Sequence, residues 1–242
     1  MEYVIQAEHL VKVYGAGRAR NEVLKGVDLA VPRGALVAIM GPSGSGKSTL
    51  LHILGLVEEP TDGRLVLDGE DIYGGGLPDC NRLRREKIGF IFQFPNLIPF
   101  LTAKENVVLP MDLDGASARQ ARDRAGELLE YLGVAERADD LPEHMSGGEK
   151  QRVMIARALA NKPKMILADE PTASLDAERG LSVMRALRKI ADEHGTAILV
   201  VTHDTRMIGE MDGIIHLQDG KVVDRPAEAV TGERRAPAAV AV

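Results

Sequence analysis

ALVAIMGPSGSGKSTLL, residues 35–51, is the stretch that decides the fold. Ala35–Met40 is apolar without polar alternation and reads as a strand covered on both faces. GPSGSGKST (41–49) follows and satisfies the spacing G-x-x-x-x-G-K-[ST], and TLLHILGLV behind it reads as a helix. Strand, glycine loop and helix in that order make a phosphate loop. Gly41, Gly44 and Gly46 let backbone N–H groups turn inward onto phosphate oxygens. Lys47 adds a point charge for the β- and γ-phosphates, and the Ser48 hydroxyl is a ligand for Mg²⁺. Pro42, Ser43, Ser45 and Thr49 complete the loop.

Outward from this loop the same alternation repeats. IGFIFQ (88–93), MILAD (165–169) and TAILVVTH (196–203) are further apolar runs of strand length. Ser117 with Gln120 forms a capping box, and Ala121, Ala125, Leu128 and Leu132 then recur at helical spacing up to a stop at Gly133. Leu181, Met184, Leu187 and Ile190 mark another helix between two strands. Strands alternating with helices predict an α/β domain with a mostly parallel sheet. Residues 1–34 and 61–73, with turns at Pro32-Arg33-Gly34, Thr61-Asp62-Gly63 and Asp68-Gly69, predict a small antiparallel β layer. Residues 94–160 read as a helical subdomain inserted between two strands of the parallel sheet. The domain is expected to span 1–225, and the Ala/Pro/charge-rich residues 226–242 to form a frayed tail.

Composition narrows the class. The chain has 242 residues, is 45% hydrophobic and 27% charged, and carries a net charge of −6, which argues against a basic nucleic-acid surface. Its single cysteine, Cys80, predicts a reduced, cytoplasmic setting. MEYVIQAEHL has no basic leader ahead of an apolar core, so no signal peptide is expected. Ala35–Met40 and Ala197–Val201 are far short of the ~20 residues that cross a bilayer, so work at a membrane would need another chain to span it.

Hydrolytic chemistry is concentrated at strand ends. MILADEP (165–171) ends in two acids: Asp169 is placed to hold Mg²⁺, and Glu170 to orient and deprotonate the water that attacks the γ-phosphorus. VTHD (201–204) brings His203 to the same carboxyl edge, where it can bond the γ-phosphate or the water. Gln93 reaches that edge from strand 88–93, as a neutral Mg²⁺ ligand and γ-phosphate sensor. HMSGGEKQR (144–152) is a second phosphate-binding helix start, with Ser146 as N-cap before Gly147 and Gly148.

These residues in this order resemble an ATP-binding cassette (ABC) ATPase over about residues 3–225, with a P-loop NTPase (RecA-like) core. GPSGSGKST resembles Walker A, Gln93 the Q-loop, MSGGEKQR the signature and MILADE Walker B. Ser174-Leu175-Asp176 resembles the D-loop and His203 the switch histidine. Tyr14, in VKVYG, matches the family's adenine-stacking aromatic. VAIMGPSGSGKSTLL, RLRREKIGFIFQ, FLTAKENV and SGGEKQRVMIARAL look like the macrolide-exporter, lipoprotein-release and heterocyst-type exporter branch. The chain departs from the family's pattern at Met145 (usually Leu), Glu149 (Gln in the broad family) and Ala173-Ser174 (Gly-Asn in that branch). Lys150 adds a positive charge near the signature helix start.

The resemblance implies an ATPase using ATP and Mg²⁺, and an ATP-dependent homodimer in which Ser146, Gly147, Gly148 and Glu149 cover the ATP of the partner chain. It also implies an integral-membrane permease, with room for a periplasmic adaptor, and a place at the cytoplasmic side of the inner membrane. QFPNLIPFLT (93–102), rimmed by Arg82, Arg84, Arg85 and Lys104, would receive the permease's coupling helix. The expected role is to energise export or extraction of a substrate. The alternative is a cell-division-type cassette that regulates an envelope enzyme without transport. A soluble cassette acting on DNA or the ribosome would call for a tandem second cassette, a coiled-coil insertion or a basic surface, and none is seen.

Overall fold

The computed structural model describes residues 2–74 and 78–223. The tail expected over 226–242 lies outside the described residues. From the N-terminus the elements are β1 (Tyr3–Tyr14), β2 (Asn21–Pro32), β3 (Leu36–Met40), α1 (Lys47–Leu54), β4 (Asp62–Leu67) and β5 (Glu70–Asp71). Next come α2 (Cys80–Lys87), β6 (Ile88–Ile91), α3 (Ala103–Leu113), α4 (Ala118–Tyr131) and α5 (Gly147–Leu159). The chain closes with β7 (Met165–Asp169), α6 (Ala177–His194), β8 (Ala197–Val201), β9 (Gly213–Gln218) and β10 (Lys221–Val222).

Two sheets result. One is a four-stranded antiparallel layer ordered β2-β1-β4-β5. The other is six-stranded, ordered β10-β9-β3-β8-β7-β6, and every pair in it is parallel except β10 with β9. The continuous apolar runs follow from what covers this sheet. Leu36, Ala38, Ile166, Ala168, Ile198 and Val200 face one core with α5, α6 and the helices before β7. Val37, Ile39, Met165, Leu167, Leu199 and Val201 face the other, with α1 and the antiparallel layer. Each fully buried Leu or Ile contributes about 1.5–3 kcal/mol from burial, so neither face tolerates a polar alternate.

Three of the predicted boundaries shift. The strand expected over 88–93 ends at Ile91, because Phe92 and Phe94 stand outside the sheet, 40% and 67% exposed. The helix expected through Val57 ends at Leu54. There the Phe90 ring packs against Gly55, where a side chain would meet it at 2.8 Å, and Leu56 turns to φ 56°. The run expected over 196–203 is a strand only over Ala197–Val201. β9 was not anticipated, and it extends the parallel sheet beside β3.

Between β6 and β7 run α3, α4 and α5. Each begins with a closed capping box: Thr102 with Glu105, Ser117 with Gln120, and Ser146 with Glu149. Asn106, fully buried on α3, pins the preceding loop. Its Oδ1 accepts from Ile98 N at 2.7 Å, and its Nδ2 donates to Ile98 O at 3.1 Å and Leu101 O at 3.0 Å. That loop leaves Phe100 77% exposed.

Candidate functional site

The loop between β3 and α1 is a cradle that only its glycines permit. A side chain at Gly41 would meet Leu217 O at 2.0 Å. Gly46, the N-cap of α1, has φ 103°, and a Cβ there would meet Leu24 Cδ2 at 2.9 Å and Val23 O at 3.1 Å. Gly44 is also left-handed, at φ 79°, with open space beside it. The Lys47 ammonium folds over the loop and donates to Gly41 O and Pro42 O, both at 2.8 Å. Ser45 is buried beneath, and its Oγ has no hydrogen-bond partner among the described residues.

A cavity of about 620 Å³ opens on this loop. Ser43, Gly44, Lys47, Ser48 and Thr49 line one side, and Asp169, Glu170 and His203 the other. Asn21 and Val23, at the start of β2, close it; these the sequence did not signal, because the antiparallel layer brings them there from a distant position. The volume lies in the range of small-molecule sites. The loop N–H groups and Lys47 suit a triphosphate.

At the strand ends, Asp169 closes β7 and Glu170 follows with φ 45°, a strained backbone for a non-glycine residue. Glu170 N donates to Val201 O at 2.9 Å, which locks the turn to the end of β8. His203 Nδ1 lies 3.0 Å from Glu170 Oε1. Burial pushes the Asp169 carboxyl up from its ordinary value, the neighbouring Glu170 charge adds to this, and His52 and Lys47 oppose it. A carboxylate so placed gains from a cation. Among the described residues no cluster of three or more His, Cys, Asp or Glu could hold a metal alone. Asp169 and Ser48, which line the cavity from its two sides, fit a Mg²⁺ that takes its remaining ligands from substrate phosphates and water.

Other expected residues stand apart. Gln93 is beyond the end of β6 and is not among the cavity-lining residues; its carbonyl accepts from Ser174 Oγ at 3.4 Å. Tyr14, at the end of β1, does not line the cavity either. Its hydroxyl donates to Glu58 Oε2 at 2.6 Å, and the Lys12 ammonium sits 5.1 Å from its ring centroid. Asp176 caps α6, accepting from Arg179 N at 3.0 Å.

The signature turn faces elsewhere. Ser146 and Gly147 are exposed at the start of α5. Ser146, Gly148 and Glu149 line a second cavity of about 350 Å³, with Arg152, Leu175 and Arg179. Among the described residues none lines both cavities. Glu149 Oε2 accepts from Ser146 N at 2.7 Å and Oε1 from Arg137 Nε at 2.9 Å. The Ser146 contacts and the Arg137 guanidinium hold the Glu149 carboxyl down at about 2. The Gln151 side chain, fully buried, donates from Nε2 to Pro171 O at 2.8 Å and so ties the signature helix to the turn after Glu170.

The expected docking stretch 93–102 contributes no lining residue to the neighbouring groove of about 260 Å³, which is formed by Phe90, Phe92, Leu109, Pro110 and Leu113, with Arg84, Arg85 and Arg157. Arg82 and Lys104 are not among its lining residues, and Arg82 pairs with Glu86 at 2.8 Å. Among the described residues no helix is long and apolar enough to cross a membrane.

Comparison with known proteins agrees with this geometry. The family model described as ABC transporter matches residues 24–173. The chain is 46% identical over 229 residues to the lipoprotein-releasing system ATP-binding protein LolD of Shewanella frigidimarina, covering 95% of this chain and 96% of that protein. It is 46% identical over 222 residues to an uncharacterized ABC transporter ATP-binding protein of Thermotoga maritima, covering 92% and 94%. Among solved structures, a dimeric post-hydrolysis state of the ATP-binding cassette MJ0796, bound to ADP and Pi, superposes with TM-score 0.80 at 43% identity, over 90% of this chain and 96% of that one. The phosphate loop, the acidic strand end and these likenesses converge: the chain belongs to the ABC transporter family, as an ATP-binding and ATP-hydrolysing subunit.

Proposed function

We propose that two copies of this chain close head to tail on two ATP molecules and drive a separate membrane permease that exports or extracts a substrate. The observation that carries this reading is the separation of the two anion-binding helix starts. The phosphate loop opens on one cavity and Ser146 and Gly148 on another, with no described residue in common. A phosphate held by Lys47 therefore meets a signature turn only if a second chain supplies it.

In this reading Gly41–Thr49 cradle the phosphates, Tyr14 stacks on the base, and Ser146, Gly147, Gly148 and Glu149 cover the partner's ATP. Ser48 and Asp169, with Gln93 on closure, hold Mg²⁺, which when bound neutralises charge on the β- and γ-phosphates. Glu170 takes the proton of the water that attacks the γ-phosphorus, and the bridging oxygen leaves with ADP. His203, 3.0 Å from Glu170 Oε1, holds that carboxylate and the γ-phosphate in line. Asp176 lies at the facing D-loops. Loss of the γ-phosphate removes the bridge between halves, so the clamp loosens.

The functional unit is residues 1–225, with 94–160 as a helical subdomain. The groove beside Phe92 and Leu113 would take the permease's coupling helix, which puts the chain at the cytoplasmic face of the inner membrane. Likeness to lipoprotein-releasing ATP-binding proteins, at 44–46% identity, favours a lipidated protein as substrate over the regulatory alternative, with or without a periplasmic adaptor. The test is Glu170→Gln: with ATP and Mg²⁺ it should run as a dimer on gel filtration, and without nucleotide as a monomer. A variant that binds ATP yet stays monomeric would refute the shared site.

A further inference from the structure

The signature turn carries an electrostatic problem that the structure also answers. Glu149 is the third residue of α5, so its carboxylate lies one turn from the helix start that is read above as covering the partner's γ-phosphate. A free carboxylate there would repel that phosphate, or would fold onto the exposed N–H groups and fill the anion site itself. It does neither. Oε2 is taken by Ser146 N at 2.7 Å, and Oε1 by Arg137 Nε at 2.9 Å. Ser146 Oγ accepts from Glu149 N at 3.4 Å, which leaves its hydroxyl hydrogen free to donate outward. Arg137 is held in turn. It belongs to the short helical turn Ala135–Arg137, its N donates to Val134 O at 3.0 Å, and its Nη1 donates to Asp140 Oδ2 at 3.1 Å.

We propose that Arg137 is a positioning residue for ATP capture by the signature turn: it neutralises Glu149 and holds it against Ser146 N, so that the turn presents donors rather than a carboxylate to the partner's phosphate. The inference rests on the shared-site reading. It follows that Arg137 matters because Glu149 is charged, and that the need for it disappears when position 149 is neutral. A bracing role alone would be lost whatever stands at 149.

The experiment uses the full chain with Glu170→Gln as parent and measures dimer dissociation constants in ATP and Mg²⁺ by sedimentation velocity. Arg137→Gln should weaken the dimer roughly tenfold, the size of one lost charge-assisted bond. Arg137→Lys should recover part of this. In a Glu149→Gln background, Arg137→Gln should change the constant by less than about twofold, since no charge remains to be matched. ATP binding to dilute, monomeric protein should be the same in all variants and serves as the check on folding. If Arg137→Gln leaves the dimer unchanged, or costs the same with Glu or Gln at 149, the proposal is wrong while the shared site stands. If the parent itself does not dimerise, the shared-site reading falls and this inference falls with it.

Discussion

Replacing Gln151 separates two costs that are usually entangled. Its Nε2 donates to Pro171 O at 2.8 Å, while its Oε1, equally buried, has no partner among the described residues. Gln151→Met keeps the volume, strands the Pro171 carbonyl at a cost of about 1–3 kcal/mol, and removes an orphan oxygen whose burial costs a similar amount. The two offset, so net stability should change by about 1 kcal/mol or less. Gln151→Ala makes the same exchange and also opens a void between α5 and the turn after Glu170, worth about 2–4 kcal/mol. For a chain of this size each kcal/mol moves Tm by about 2–4 °C, so calorimetry should find the Met variant within about 4 °C of the parent and the Ala variant about 4–16 °C lower. ATP hydrolysis should fall in both, because the turn carrying Glu170 loses its tether to the signature helix, while ATP affinity through Lys47 is unchanged. A Met variant that melts as early as the Ala variant would refute the accounting. It would mean that the oxygen is satisfied and the tether alone sets the cost.

Three other outcomes are expected. Lys47→Ala should abolish nucleotide binding in equilibrium dialysis, and ordinary ATP affinity in that variant would overturn the phosphate-loop assignment. Gly46→Ala should lose ATP binding and melt earlier: a methyl would crowd Val23 O at 3.1 Å and displace Leu24 Cδ2 at 2.9 Å, and the left-handed backbone at φ 103° alone costs about 1–2 kcal/mol. Glu149 has a carboxyl held at about 2, below its ordinary 4.5, so it contributes stability that is full above about 4.5 and lost as pH falls toward 2. Acid titration of the Glu149→Gln variant should therefore show a shallower loss of stability than the parent across that window, and parallel curves would contradict the ion pair.

Much of the site was legible because its chemistry is local. Gly41 to Ser48 sit within one turn, and Asp169 and Glu170 at one strand end, so spacing alone groups them. The parallel strands were legible because both faces are buried: β3 sends Leu36 and Ala38 to one core and Val37 and Ile39 to the other, which forbids alternation. What escaped depends on distant packing. Asn21 and Val23 reach the phosphate cavity only through pairing within the antiparallel layer. The end of β6 is set by where Phe92 turns outward, and apolar character alone does not mark that point. β9 contains the polar His216 within its apolar pattern and hides among loops. Arg137 carries no motif, and its tie to Glu149 spans a turn whose geometry no periodicity encodes.

The Lys47 ammonium bonded to Gly41 O and Pro42 O bears on how the loop takes up a phosphate. The loop is not a set of bare donors seeking any anion. Its strongest charge already has a surrogate ligand, made from the loop's own carbonyls. An arriving phosphate therefore swaps partners with a cradle that is already built, and little chain ordering is charged against the affinity. A stray sulfate or chloride must win the same exchange with fewer oxygens, so the loop discriminates by the number of contacts a guest can make at once. The loop's own backbone thus sets the number of contacts that a guest must exceed.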